Sequence, residues 1–250
     1  MNTKRLGKIG GAWWLAGLLG VGGFGTAYAH HVIVDTDYVL KNKDKPGVVL
    51  VDARGAADYK KGLIPGAVVL GDKPGQVVLR DVDARVLPVK KLEKILGEAG
   101  ITRENEIIVY GNRGDTGPDV VFWILEYLGA GKAKVYHGGF DDWTKAKHPL
   151  TNEPRKLPAA QFTARVRMDV IATTDYVRQN LQNKEVQFVD SRTAKEYAGD
   201  DIRALRGGYI AAANHVNIPY ESAWKDPETA KKLAEKTVKD REGMALKDAA

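Results

Sequence analysis

Residues 106–129 read EIIVYGNRGDTGPDVVFWILEYLG. Glu106 to Tyr110 is a short apolar run with two β-branched isoleucines and a valine, the composition of a buried strand. Gly111, Gly114 and Gly117 frame the loop that follows, and Pro118 stands where a first helical turn begins. Val120, Val121, Trp123, Ile124, Leu125 and Leu128 then give a helix, which Gly129 ends. Strand, glycine-framed loop and helix N-terminus make a place for an anion or a nucleophile. Gly111 stands at the loop entrance, and the chain has no cysteine.

The same alternation runs outward in both directions. Upstream, Thr36 or Asp37 is expected to cap a short helix carrying Val39 and Leu40. VVLVDA from Val48 is a buried strand, Asp58 and Tyr59 lie on a helical turn, and Ile64-Pro65-Gly66-Ala67 leads into the strand AVVL. Pro88 opens a helix with Leu92, Ile95 and Leu96 on one face. Downstream, Ala133–Tyr136 is a last strand before Gly138-Gly139. Near-continuous apolar strands alternating with helices indicate an α/β domain with a parallel sheet covered on both faces.

The chain also repeats itself. Thr36-Asp37-Tyr38-Val39 recurs as Thr174-Asp175-Tyr176-Val177, and Val51-Asp52-Ala53-Arg54 as Val189-Asp190-Ser191-Arg192. Tyr59 recurs as Tyr197, again 138 positions on. Ile64–Val68 has a looser echo in Ile210–Asn214, at an offset of 146, which implies about eight extra residues around Gly199 to Arg206. The second copy is expected to hold strands at Val186–Val189 and His215–Ile218, then a charged helix from Asp226 to about Lys239. No counterpart of the loop at Gly111 follows before Ala250. Without one, an α/β domain keeps uncovered edges and faces. The second domain is therefore expected to be incomplete, its loop beginning about 5 to 20 residues past Ala250.

Residues 1–29 stand apart. Lys4, Arg5 and Lys8 precede an apolar stretch from Ile9 to Phe24, and Ala27-Tyr28-Ala29 offers small residues to a signal peptidase. The reading is a secretory signal cut after Ala29, hence a periplasmic or secreted protein without stable membrane insertion. The stretch is glycine-rich and short for a membrane span of about 20 residues, which disfavours an uncleaved anchor. Residues 30–150 then form a first domain, 151–169 a linker recognised by Asn152, Pro154 and Pro158, and 170–250 the start of a second domain. Phe162 to Val166 is expected to be a strand packed on the first domain.

Composition removes several functions. The whole chain has 38 basic and 32 acidic residues, and without the leader the count is 35 to 32. No basic stripe with interleaved aromatics supports nucleic-acid binding. The absence of cysteine excludes disulfides, thiol catalysis and thiolate metal sites within these residues. His30 and His31 at the mature end read as incidental, so neither a metal nor a cofactor is expected.

Taken with VDAR, Tyr59 and Leu63–Ala67, the loop IIVYGNRGDTG and the segment GGFDDWTKAKHPL from Gly138 give the order and spacing of a known family. The chain after the leader resembles the tandem rhodanese-domain family, the thiosulfate and mercaptopyruvate sulfurtransferases. The resemblance implies two rhodanese-like domains, the second incomplete here, each a parallel β-sheet flanked by helices on both faces. It implies a cysteine at the loop entrance, loaded by a small sulfur-containing anion and unloaded by a thiol or cyanide. In tandem members the first loop is usually inactive. That places Gly111 at the nucleophile position of the first copy, leaving Asn112, Arg113, Gly114, Asp115 and Thr116 as loop residues that could hold an anion. Arg113 would favour an anion and Asp115 would oppose one. Thr116 has no adjacent base to make it a substitute nucleophile.

Asp52 and Arg54, with Asp190 and Arg192, are implied to frame the loops, the aspartate accepting backbone N–H groups and the arginine tying loops together. Substrate contact is the other role open to them. Glu196, beside Lys195, stands where such enzymes often have a basic residue, and Tyr209 and Ala211 depart from the usual turn. The expected function is sulfur transfer through a second-domain cysteine past Ala250. The alternative is a non-catalytic binding or scaffold protein whose loop takes an anion or a partner peptide. A phosphatase on a related fold would need the missing cysteine too.

Overall fold

The computed structural model describes residues 32–70, 78–81, 83–220 and 222. The leader, His30, His31 and the charged helix expected from Asp226 lie outside the described residues.

The first copy runs β1 (Ile33–Val34), α1 (Thr36–Asn42), β2 (Val48–Asp52), α2 (Ala56–Tyr59), β3 (Ala67–Val69), α3 (Val89–Glu98), β4 (Glu106–Tyr110), α4 (Gly117–Tyr127), β5 (Ala133–Tyr136) and α5 (Gly139–Lys145). Its five strands order as β1-β5-β4-β2-β3, and every pairing is parallel. All five residues of β2 are buried, because alternate side chains enter opposite faces of a two-sided sheet. Val49 and Val51 pack with Leu92, Leu96, Val121 and Leu125 under α3 and α4. Val48 and Leu50 pack with Val39, Ile64, Phe140 and Trp143 under α1 and α5. The near-continuous apolar reading of this strand is thereby explained.

Local signals differ from the expectation at one cap. Asp35, not Thr36 or Asp37, caps α1, its carboxylate accepting the Tyr38 N–H at 2.8 Å. At α4, Pro118 sits in the first turn and Gly129 follows the last in the left-handed region at φ 81°.

Phe162–Val166 is not a strand. Thr151 and Arg155 bond to Leu63 and Ala67 beside β3, and from Ala160 to Arg167 the chain crosses helix ends. Ala160 donates to the Gly97 carbonyl, Arg165 to Leu128 and Arg167 to Tyr127, at 2.8–2.9 Å. These acceptors sit at helix C-termini, where the last carbonyls have no intrahelical partner. Phe162 is buried in the α3–α4 cluster, anchoring this crossing.

A 3-10 turn (Met168–Val170) leads to α6 (Thr174–Asn180), β6 (Phe188–Asp190), α7 (Ala194–Ala198) and β7 (His215–Asn217). β6 is shorter than the expected Val186–Val189 and ends one residue later, β7 starts at the expected His215 and stops one residue short of Ile218, and the two pair in parallel. Their register corrects the sequence echo. Leu50 faces Ala67, 17 residues on, whereas Phe188 faces His215, 27 residues on. His215, not Ala213, therefore takes the place of Ala67, and two residues beyond the expected eight are inserted.

Candidate functional site

Asp52 and Arg54 close a buried frame at the carboxyl end of β2. Both side chains are fully buried. Arg54 donates from Nε to both carboxylate oxygens of Asp52 at 3.0 and 3.1 Å, and from Nη2 at 2.6 Å. Nη2 also donates to the Gly62 carbonyl at 2.7 Å, and the Arg54 N–H donates to Asp52 Oδ1 at 2.9 Å. The expected division of labour is present: the aspartate takes a backbone N–H and the arginine ties the next loop down.

Two partners were not legible as such. The Tyr110 hydroxyl donates to Asp52 Oδ2 and accepts the Ile64 N–H at 3.1 Å. Phe140 lies under the guanidinium, 3.7 Å from ring centroid to Cζ, a cation–π contact in a dry setting. Burial first, and the Asp52 carboxylate second, hold the Tyr110 phenol well above its ordinary range. Tyr110 is thus a fixed donor at the loop entrance.

The same frame recurs in the second copy. Arg192 donates to both Asp190 oxygens, and its Nη2 reaches the Gly208 carbonyl at 2.8 Å. The carbonyl lies 16 residues on from Arg192, against eight from Arg54. Here the Arg192 side chain is 43% exposed. Glu196 turns inward to cap α7 through Thr193 and pairs with Arg203 at 3.4 Å.

The loop from Gly111 to Thr116 is filled by its own chain. The Asp115 carboxylate accepts the Asn112 N–H at 3.1 Å and the Asn112 side-chain amide at 3.0 Å. The Arg113 N–H donates to Asp141 at 2.6 Å, and the Arg113 guanidinium pairs with Asp142. The Arg113 hydrogen bond holds the Asp142 carboxyl below the usual carboxylate range. Two of the backbone donors that would meet an external anion therefore meet internal carboxylates.

Packing closes the nucleophile position as well. Gly111 is buried, and a Cβ added there would meet Pro118 Cγ at 2.7 Å and Cδ at 3.0 Å. The Gly111 carbonyl accepts the Phe140 N–H at 2.8 Å, which seats α5 on the loop. Gly139 makes that approach possible: its φ is 60°, and a Cβ would collide with the Gly111 carbonyl oxygen. The glycine pair read as a tight turn is also a contact surface for the loop.

Beside the loop a cleft of about 890 Å³ opens between α4 and the ends of β6 and β7. Thr116, exposed, and Asp119 stand on its first-copy wall, and Ser191 and Tyr220 on the other. Burial alone raises the Asp119 carboxyl to about 6. Among the described residues no group of three or more metal-ligating side chains is present, and no helix is long and apolar enough to cross a membrane.

Residues 35–146 match the family described as the Rhodanese-like domain. The chain is 28% identical over 188 residues to a thiosulfate sulfurtransferase from Azotobacter vinelandii, covering 75% of this chain and 68% of that one. It is 34% identical over 131 residues to the thiosulfate sulfurtransferase of Mus musculus, covering 50% of this chain and 43% of the other. It is 27% identical to the sulfur carrier protein TtuD of Thermus thermophilus, covering 83% and 76%. Among solved structures, the 3-mercaptopyruvate sulfotransferase SseA from Escherichia coli superposes with a TM-score of 0.66 at 21% identity, covering 76% of this chain and 75% of that one. This is a likeness of fold. The five-stranded parallel sheet lies within the matched residues: residues 35–146 are a rhodanese-like domain, in a chain with thiosulfate sulfurtransferase relatives.

Proposed function

We propose that the chain is part of an exported, tandem rhodanese-type sulfurtransferase whose nucleophile belongs to the second copy, past Ala250. The observation that carries this is the repeated frame. Asp190–Arg192 rebuilds the hydrogen bonds of Asp52–Arg54 beside a second parallel strand pair, while the first loop holds glycine where sulfur would sit. In the first copy that frame borders the loop directly, since the Ala53 N–H donates to the Tyr110 carbonyl at 2.8 Å. The counterpart of Ala53 is Ser191, so a second loop would adjoin it.

The chemistry follows from a cysteine thiolate in such a loop. The thiolate attacks the outer sulfur of a donor such as thiosulfate, and sulfite leaves with the bonding electron pair. An acceptor thiolate or cyanide then attacks the outer persulfide sulfur, and the cysteine thiolate leaves. Loop N–H groups and a helix N-terminus stabilise each anionic state. The basic, apolar leader ending at Ala29 supports export.

The test is cyanide-dependent thiocyanate formation from thiosulfate, run on the protein extended past Ala250 and on residues 30–250 alone. The extended protein is expected to turn over and residues 30–250 to give nothing. A folded, cysteine-containing extended protein that makes no thiocyanate overturns the reading. N-terminal sequencing of the exported protein should begin at His30.

The non-catalytic alternative gains no support from this loop. An external anion would have to displace Asp115 and Asp141 from donors they already hold.

A further inference from the structure

The two copies differ at one strand position beside their Asp–Arg frames. In the first, Val69 of β3 stands in register with Asp52; in the second, Asn217 of β7 stands in register with Asp190. The Asn217 side-chain amide donates to the Asp190 carbonyl at 2.9 Å and to the Arg192 carbonyl at 3.0 Å. Both partners are carbonyl oxygens, so the amide nitrogen is the atom that faces them. The Asp190 carbonyl also accepts the Ile218 N–H, and the Ser191 carbonyl accepts the Tyr220 N–H, each at 2.9 Å. The carbonyls of Asp190, Ser191 and Arg192 are thus all held, two of them by one side chain. Valine at the first-copy position has no donor with which to do this.

What the clamp controls follows from peptide planarity. A trans peptide points its carbonyl and its N–H in opposite directions. Holding the Asp190 carbonyl therefore aims the Ser191 N–H. In the first copy the corresponding Ala53 N–H donates to the Tyr110 carbonyl at 2.8 Å. That carbonyl shares its peptide plane with the N–H of Gly111, the residue at the nucleophile position. Two rigid planes join the strand end to the backbone of that position. A donor on the first carbonyl also polarises the relay and strengthens the N–H at its far end. The clamp stands in the copy assigned the chemistry, and valine in the copy whose loop is filled by its own carboxylates. Arg192, unlike Arg54, is partly exposed, so burial does not immobilise the second frame and a side-chain clamp has work to do there.

We propose that Asn217 is a positioning residue for sulfur transfer: through Asp190 and Ser191 it orients the backbone N–H of the second-loop residue that carries the sulfur. This rests on the sulfurtransferase reading, and its test reads the thiol separately from turnover.

The test uses the protein extended past Ala250. Asn217→Val places the first-copy residue at the same strand position. Two quantities are measured: steady-state thiocyanate formation from thiosulfate and cyanide, and the pH profile for alkylation of the second-loop cysteine by iodoacetamide. Loss of the clamp is expected to lower kcat about three- to tenfold, the worth of about one hydrogen bond, with KM for thiosulfate changed less than about twofold. The alkylation profile is expected to move to higher pH, because a misdirected N–H stabilises the thiolate less. A role confined to strand stability would lower the melting temperature and leave the profile in place. Asn217→Ala, which removes the same donor without a branched side chain, repeats the measurement should valine unfold the strand pair. An unchanged profile in a folded variant overturns the proposal, and a second loop without cysteine overturns it together with the enzyme. Otherwise the two readings fail separately. Equal thiocyanate formation and equal profiles for the extended protein and its Asn217→Val form keep the enzyme and remove the role of Asn217. A profile displaced by Asn217→Val in a protein that forms no thiocyanate keeps the hold of Asn217 on the thiol and loses the reaction.

Discussion

Arg54→Met is expected to destabilise the first domain by about 3–5 kcal/mol, the range for removing one partner of a buried ion pair. The guanidinium is the sole cation on the Asp52 carboxylate among the described hydrogen bonds and ion pairs, and neither side chain reaches solvent. Methionine fills similar volume but leaves the carboxylate buried with only the Tyr110 hydroxyl and the backbone N–H of residue 54. It also removes the tie to Gly62 and the stack on Phe140. Lysine should not rescue, because a point charge cannot reproduce the forked contacts. The second copy supplies the control. Arg192→Met removes the same bonds from a side chain that is 43% exposed, and water can replace them. Its effect should be small, well below that of Arg54→Met. Urea unfolding of both variants measures the contrast. Equal losses would mean that burial does not set the strength of this frame.

Gly139→Ala is expected to cost ~2–4 kcal/mol, combining a left-handed backbone with a collision. The residue has φ 60°, and its Cβ would strike the Gly111 carbonyl oxygen, which is backbone and cannot swing aside. Relief requires α5 to lift from the loop. That stretches the Phe140 N–H bond to Gly111 and shifts the ring stacked on Arg54. The loss should therefore couple with Arg54→Met in a double-mutant cycle. Gly114→Ala is the control. Its φ is 84°, but nothing lies within 4 Å of the added Cβ, so only the backbone penalty of about 1 kcal/mol applies. A Gly139→Ala protein as stable as Gly114→Ala would remove the steric account of the glycine pair.

The α/β frame was legible because Val48–Asp52 and Glu106–Tyr110 are too apolar for a strand with one wet face. Pro118 and Gly129 marked α4 for backbone reasons that act locally. Phe162–Val166 misled because its alternation resembles a strand. Its hydrogen-bond acceptors are helix-end carbonyls distant in sequence, which local pattern cannot reveal. The echo at Ile210–Asn214 misled because three alanines carry too little identity to fix register. Strand pairing fixed it two residues further on.

At the site, the Asp–Arg frame was legible from its repetition. The Tyr110 and Phe140 contacts were not, since both residues already had a sufficient reason to be apolar or strand-ending. Asp115 looked like an obstacle to anions. Its role as the occupant of Asn112's donors depends on a loop geometry that spacing alone does not show.

The central claim is that the first loop is closed by its own packing and carboxylates, beyond lacking a sulfur atom. The most direct measurement gives it that atom. Gly111→Cys, shown to be folded by its thermal melt, is incubated with thiosulfate and then cyanide. Because the new Cβ must push against Pro118 and the Asn112 donor is held by Asp115, the expected result is no thiocyanate above the cysteine-free chain and no persulfide on residue 111 by mass. Steady thiocyanate formation by Gly111→Cys alone would contradict the claim.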